Sequence, residues 1–164
     1  MNRRKQLTLF IEEKYSKNIE NIRWLYNIEQ YKLIKAHVTL CREDELFDID
    51  KVISNLHRLR NTPVQLMISS PERFADGKGV FLPVITKCQS LRKEILSGII
   101  ENPGTPNLHI TLMHPRNSCC TDEIFEAISS VEFPNDIMFK KISLIEQVDN
   151  NEWYTLDEFS LANT

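Results

Sequence analysis

The sequence predicts an α+β fold assembled from two similar halves, and three observations predict it. Apolar residues alternate with period two in some stretches, as in strands, and recur with a period near 3.6 in others, as in helices. The pattern H-x-T-x occurs twice, at 37–40 and 109–112, an offset of 72. The stretches around the two copies also follow one another in the same order at nearly the same offset.

Taken in chain order, Leu7, Leu9 and Ile11 alternate with Thr8 and Phe10 and predict a strand. In "SKNIENIRWLYNIEQY" the residues Ile19, Ile22, Trp24, Leu25 and Ile28 fall at spacings near three and four, with Ser16 available as a cap. That spacing predicts an amphipathic helix over about 15–29. A second strand, "LIKAHVTLC", follows. After an acidic turn, "DIDKVISNLHRLR" puts Ile49, Val52, Ile53, Leu56 and Leu59 on one helical face. Asp48 or Asp50 lies at its start, where a negative charge favours the helix dipole, and Pro63 ends it. "VQLMISS" and "GVFLPVI" read as strands separated by "PERFADGKG", whose Asp76-Gly77 and Gly79 mark a turn.

The second half repeats that order. Helix "CQSLRKEILSGII", loop "ENPGTPN", strand "LHITLMH", helix "TDEIFEAISSV", and strands "IMFKKISLIEQV" and "EWYTLDEFSL" complete the chain. Thr39 and Thr111 differ in number by 72, as do Asp50 and Asp122; Pro63 and Pro134 differ by 71, and Phe10 and Pro83 by 73. The expectation is a single domain over 1–164 built from a duplicated β-α-β-α-β unit of about 72 residues.

Composition narrows the function. With 41% hydrophobic residues in 164 the chain has enough apolar material for a sizeable core. Its 20 Lys and Arg against 23 Asp and Glu leave a net charge of −3, unlike a protein that coats nucleic acid, so any nucleic-acid contact has to be local. The start, "MNRRKQLTLFIEE", has too short an apolar run for a signal peptide, and no stretch approaches the roughly 18 apolar residues of a membrane span. Cys41, Cys88, Cys119 and Cys120 show neither C-x-x-C spacing nor a disulfide framework. A reduced, cytoplasmic, monomeric protein is expected.

In a strand, His37 and Thr39 share one face while Val38 and Leu40 share the other, and the same holds for His109, Thr111, Ile110 and Leu112. The apolar pairs can anchor each strand in a core. In a molecule of two similar halves the polar pairs then face one another across a cleft. Two imidazoles with unperturbed pKa near 6.5 supply a general base and a general acid together, and either histidine can take either role. The threonine hydroxyls can donate to the oxygens of a phosphate. The sequence has no G-x-S-x-G elbow and no G-x-x-x-x-G-K-[ST] phosphate loop, so phosphodiester chemistry fits the set better than ester or peptide hydrolysis.

On these residues the chain resembles the 2H phosphoesterase superfamily, the 2'-5' RNA ligase-like and cyclic phosphodiesterase proteins, defined by two H-x-[ST]-x motifs. Both motifs are complete here, as His37-Val38-Thr39-Leu40 and His109-Ile110-Thr111-Leu112, and "LIKAHVTLCREDE" is similar to the bacterial 2'-5' RNA ligase-like branch. The resemblance implies a bilobal, mainly antiparallel α+β fold with helices outside and a central cleft. It also implies metal-independent chemistry, without a cofactor, on a 2',3'-cyclic phosphate or a 2'-5' linkage of a nucleotide or short RNA end, with His37 and His109 as acid and base and Thr39 and Thr111 on the phosphate.

A single histidine on an apolar strand is more often a core residue, so His37 takes its weight from its match with His109. No H-x-H, H-E-x-x-H or carboxylate at ligand spacing accompanies either motif, which argues against a metal site. His57 reads as a solvated or capping residue of its helix. His114 and Arg42, each five positions beyond a motif histidine, are candidate substrate contacts at the ends of the motif strands. Arg73, Lys78 and Arg116 are candidates for a local positive field, and Phe74 for stacking on a base. Phe81 and Trp153, also at an offset of 72, read as packing residues. A nucleotide or RNA-end binding module without turnover is the alternative function.

Overall fold

The structure, a computed structural model, describes residues 1–60 and 62–161. In chain order the elements are β1 (Arg3–Phe10), α1 (Glu13–Tyr26), α2 (Ile28–Leu33), β2 (His37–Cys41), α3 (Ile49–His57), β3 (Val64–Met67), β4 (Glu72–Arg73), β5 (Val80–Pro83), α4 (Gln89–Ile95), β6 (His109–Met113), α5 (Asp122–Ser129), β7 (Asp136–Phe139), β8 (Lys141–Val148) and β9 (Tyr154–Ser160). Seven strands form one antiparallel sheet in the order β4-β5-β6-β2-β1-β8-β9, and β3 pairs with β7 in a separate ribbon. The class is α+β with antiparallel pairing.

Two separate lobes are not how the strands are bonded. One sheet runs through both halves, and β2 meets β6 at a single register pair, Val38 opposite Ile110. Those two positions are themselves related by the offset of 72. On either side the pairings correspond: Thr8, Leu9 and Phe10 lie opposite Thr39, Val38 and His37, while Phe81, Leu82 and Pro83 lie opposite Thr111, Ile110 and His109. An irregularity of register falls between Leu7 and Thr8 on β1 and between Val80 and Phe81 on β5, at an offset of 73. The ribbon pairs Val64 with Phe139 and Met67 with Asp136, which is self-complementary at an offset of 72.

Side-chain alternation explains the core. Val38, Leu40, Ile110 and Leu112 are at most 1% exposed, as are Leu7, Leu9 and Leu82 on the flanking strands. Ile19 and Ile22 of α1, Val52 and Leu56 of α3, Ile95, Ile128, and Leu66 and Phe139 of the ribbon join the same cluster. Truncating one such Leu or Ile to Ala costs about 2–5 kcal/mol. Asp48 Oδ1 accepts the Lys51 N–H and Thr121 Oγ1 the Ile124 N–H, so α3 and α5 start on side-chain caps.

Three sequence expectations shift. The first helix starts at Glu13, not at Ser16, whose hydroxyl instead donates to the Glu13 carbonyl inside the helix. That helix breaks at Asn27 (φ −151°, ψ 56°), and α2 continues to Leu33. The stretch 137–148 is two strands in two sheets, parted at Lys140 between β7 and β8.

The loop 74–79 folds as a tight turn joining β4 to β5. Phe74 N–H donates to the Gly79 carbonyl and Gly77 N–H to the Phe74 carbonyl, with Gly77 at φ +74°. At Gly79 an added Cβ would lie 2.6 Å from a Phe74 ring carbon, 2.7 Å from the Met113 carbonyl oxygen and 2.7 Å from Pro115 Cδ. The carbonyl and the proline ring cannot rotate away. Gly79→Ala should therefore destabilise by about 1–3 kcal/mol, the usual scale of overpacking; a urea midpoint equal to that of the parent would show that the turn has room.

Candidate active site

Strands β2 and β6 carry the same burial alternation, so each turns its histidine and threonine to the face opposite the core. His37, Thr39, His109 and Thr111 line one cleft of about 190 Å³ on that face. Continuing the Val38–Ile110 register by one residue each way sets His37 across from Thr111 and Thr39 across from His109. The histidines are thus diagonal to each other, each with the other strand's threonine beside it.

Both rings are held in the same way. His37 Nδ1 lies 2.8 Å from the Lys35 carbonyl oxygen and His109 Nδ1 lies 3.0 Å from that of Asn107, two positions back in each case. A carbonyl only accepts, so Nδ1 carries the proton and Nε2 of the neutral ring keeps a lone pair. Their surroundings differ. His109 sits against Phe74 and Phe81, both at 5.6 Å between ring centroids, while His37 has the edge of Phe10 at 6.1 Å and Arg23 nearby. Burial, joined by the charges of Arg23, His109 and His114 and opposed by the Lys35 carbonyl, pushes the His37 pKa down to about 4. Gln6 Nε2 donates to Thr8 and, at 3.3 Å, to Thr39 Oγ1, which leaves the Thr39 hydroxyl proton for another acceptor.

The other cleft residues include Arg4, Arg23 and Arg116, with His114 and Trp153, and the lining contains no carboxylate among the described residues. In a chain of net charge −3 this is a local reversal of sign. Arg23 is buried, ion-paired with Glu20, and donates to the Ile34 carbonyl at 2.6 Å. Arg4 bonds to Gln147, with its guanidinium 5.2 Å from the centre of the Trp153 indole. Trp153 is fixed in turn by its backbone N–H, which donates to the Leu33 carbonyl at 2.9 Å.

Of the candidate substrate contacts, His114 and Arg116 line the cleft and Phe74 packs on His109. Arg42 does not line it. Its side chain lies in an adjacent hollow bordered by Arg4, Gln6 and Trp153, and meets Asp44 at 3.6 Å. Lys78 is exposed on the 74–79 turn, and Arg73 is bound to Asp122 at 2.9 Å with its guanidinium over Phe125. His57 is exposed, its ring 5.3 Å from Phe159. Phe81 and Trp153 are not counterparts: Phe81 corresponds to Thr8 in the strand register, and Trp153 stands in the β8–β9 turn at the cleft wall. The sequence reading missed Arg4, Gln6, Arg23, Gln30 and Trp153. For Arg4 and Gln6 the signal was present, because they share the period-two face of Thr8. Among the described residues no group of three or more His, Cys, Asp or Glu is placed to hold a metal ion.

A model of the 2'-5' RNA ligase superfamily matches residues 11–151. A search of curated proteins finds no match. Among solved structures, E. coli LigT complexed with 3'-AMP is similar over 98% of this chain and 99% of its own, with a TM-score of 0.67 at 14% identity. A crystal structure described as a phosphoesterase covers 99% and 100% with a TM-score of 0.66, also at 14% identity. TT0787 of Thermus thermophilus covers 96% and 97%, with a TM-score of 0.56 at 13% identity. At these identities the structural likeness establishes the fold.

The lowered His37 pKa carries a stability consequence. Its ordinary value is 6.5 and its folded value about 4, so between these the unfolded chain binds a proton that the folded one does not. Its contribution to stability is therefore steady above about pH 6.5 and lost progressively as pH falls toward 4. His37→Asn removes that contribution, and urea unfolding at about pH 7 and about pH 4.5 should show a smaller acid loss in the variant than in the parent. Equal losses would mean that the imidazole titrates normally in the fold.

Proposed function

Since the chain belongs to the 2'-5' RNA ligase superfamily, the 2H phosphoesterases, we propose that it hydrolyses a 2',3'-cyclic phosphate or a 2'-5' phosphodiester of a nucleotide or short RNA end. The observation that carries the reading is the carboxylate-free cleft in which His37 and His109 present Nε2 beside Thr39 and Thr111, under the charge of Arg4, Arg23 and Arg116. LigT has been crystallised with phosphate and with 3'-AMP, and this supports a phosphate-bearing nucleotide as the ligand class here.

The phosphate sits in the cleft over the polar face of the two paired motif strands. The hydroxyls of Thr39 and Thr111 donate to its non-bridging oxygens, and the arginines offset the charge that builds there. His37 enters neutral, because burial and the nearby cations disfavour its imidazolium, and so acts as the base. Its Nε2 takes a proton from water as the water oxygen bonds to phosphorus. The bond from phosphorus to the leaving ribose oxygen breaks, and His109, entering as the imidazolium, gives that oxygen its Nε2 proton and is left neutral with Nδ1–H on the Asn107 carbonyl. A proton has entered on one side and left on the other, so solvent exchange resets the pair. The Nδ1–carbonyl bonds keep both rings oriented throughout. Residues 1–164 act as one domain with an internal repeat of about 72 residues, working as a monomer. Cys41, Cys88 and Cys120 are buried free thiols, which supports a reducing, cytoplasmic setting. No helix among the described residues is long and apolar enough to cross a membrane.

Turnover of a nucleoside 2',3'-cyclic phosphate tests the assignment. His37→Ala and His109→Ala should each lower kcat by about 100-fold or more, and a chelator should leave the parent rate unchanged. The base is free of its proton above about pH 4, so kcat/KM should fall as pH drops through that value. Undiminished turnover in both variants would overturn the mechanism, and binding without product would establish the alternative, a recognition module.

A further inference from the structure

The row of side chains that holds His37 continues beyond the cleft. Phe10 is the cross-strand partner of His37, and its ring turns an edge to the imidazole at 6.1 Å between centroids. The β1–β8 register, continued from Thr8 opposite Ser143, sets Lys141 across from Phe10. His37, Phe10 and Lys141 thus stand side by side on three neighbouring strands, all on the face that carries the motif residues. Next to the cleft on this face is a second hollow of about 340 Å³, and Ile34 and Trp153 border both. The bond from the Trp153 N–H to the Leu33 carbonyl, 2.9 Å, fixes that shared wall.

The two spaces differ in character. Ile11 and Ile34 in the hollow are 9% and 6% exposed, whereas Phe10 and Trp153 are half-buried, so aromatic surface is what the hollow leaves open to a ligand. Its charged residues are Lys35 and Lys141 against Glu12 and Glu152, and Lys141 also pairs with Glu158. This balance lacks the positive excess of the cleft and suits an uncharged group better than a second phosphate. A nucleobase has the matching form: a flat face that stacks on an aromatic ring, and an edge of donors and acceptors that charges of both signs can meet.

We propose that this hollow is a nucleobase subsite for the nucleoside on the His37 side of the phosphate, with Phe10 as its stacking platform. The inference rests on the phosphate-directed reading of the cleft and deepens it by choosing between the two substrates named there. A nucleoside 2',3'-cyclic phosphate has a single base and fills one side of the phosphate only. A 2'-5' diester carries a nucleoside on each side of its phosphorus and fills both, so the diester is the preferred substrate.

Adenosine tests the subsite without phosphate chemistry. Ile11 lines the hollow and not the cleft, so its methyl resonance, followed by NMR as adenosine is added to isoleucine-labelled protein, reports this site alone. It should shift; an Ile11 methyl unmoved up to the solubility of adenosine would overturn the proposal. A shift at Ile11 in a parent that turns over neither substrate would sustain the subsite while removing the hydrolytic reading. For the choice of substrate, the ratio of kcat/KM for a 2'-5'-linked adenosine dinucleotide to that for adenosine 2',3'-cyclic phosphate cancels any effect of Phe10 on His37 itself. Phe10→Leu should lower this ratio about 10-fold, within the scale of a base stacked on an aromatic ring. Phe10→Tyr keeps the ring and should hold the ratio near the parent's. A ratio unchanged in Phe10→Leu would sink the assignment even if both substrates are turned over.

Discussion

The arrangement depends on one antiparallel contact, the pairing of Val38 with Ile110. Both side chains are fully buried, and by strand alternation their neighbours at 37, 39, 109 and 111 all turn to the other face. A slip of one position in either strand would exchange the two faces, sending a histidine and a threonine into the core and two aliphatic side chains into the cleft. Polar groups buried without partners are costly, and that cost holds the register. The hydrophobic contact beneath thus sets the position of the groups above it, and the cleft face needs no separate device to align it.

Around that contact each half is secured by a helix of the other. Helix α1 packs on β6, and Asn27 at its end holds His114 N–H and the Asn117 side chain. From α4, buried Arg92 reaches the Leu40 carbonyl at the end of β2 and also binds Glu45. Arg42 and His114 are related by the offset of 72, as are Glu45 and Asn117, so corresponding segments are clamped by different chemistry. Asymmetry enters at those places. One half contributes Arg4 and Gln6 to the cleft; the other, at the corresponding positions 77 and 79, has glycines, and the ring of Phe74 stands beside Gly79.

Much of this was legible in the sequence because it follows from local periodicity. The H-x-T-x strands, their buried and exposed faces, and the start of α5 at Thr121 are all set by residues within a few positions of each other. What was missed depends on partners distant in the chain. Alternation puts Arg4 and Gln6 on the face of Thr8, but that this face looks into the cleft follows from β1 lying between β2 and β8, neighbours that residues 3–10 alone do not reveal. The helix break at Asn27 is sustained by bonds to His114 and Asn117, far along the chain. Trp153 owes its place to a turn between β8 and β9 and a bond to Leu33; a spacing of 72 suggested a counterpart in Phe81, but the true strand offset there is 73. Lys140 separates two strands of one apolar run because β7 is drawn to β3 and β8 to β1, a choice made by tertiary pairing.

The self-complementary registers at β2–β6 and β3–β7 imply more than tidy packing. A chain holding one half alone would expose two strand edges, each matching the same edge on a second copy, which is the geometry of an isologous dimer. Joining the copies in one polypeptide makes their association intramolecular, at an effective concentration that the linker sets and dilution cannot lower. It also frees them from having to stay identical, since a substitution in one half is no longer repeated in the other. A histidine lining the cleft can then stand at 114 while an exposed arginine occupies 42, a pairing that no dimer of identical subunits could hold.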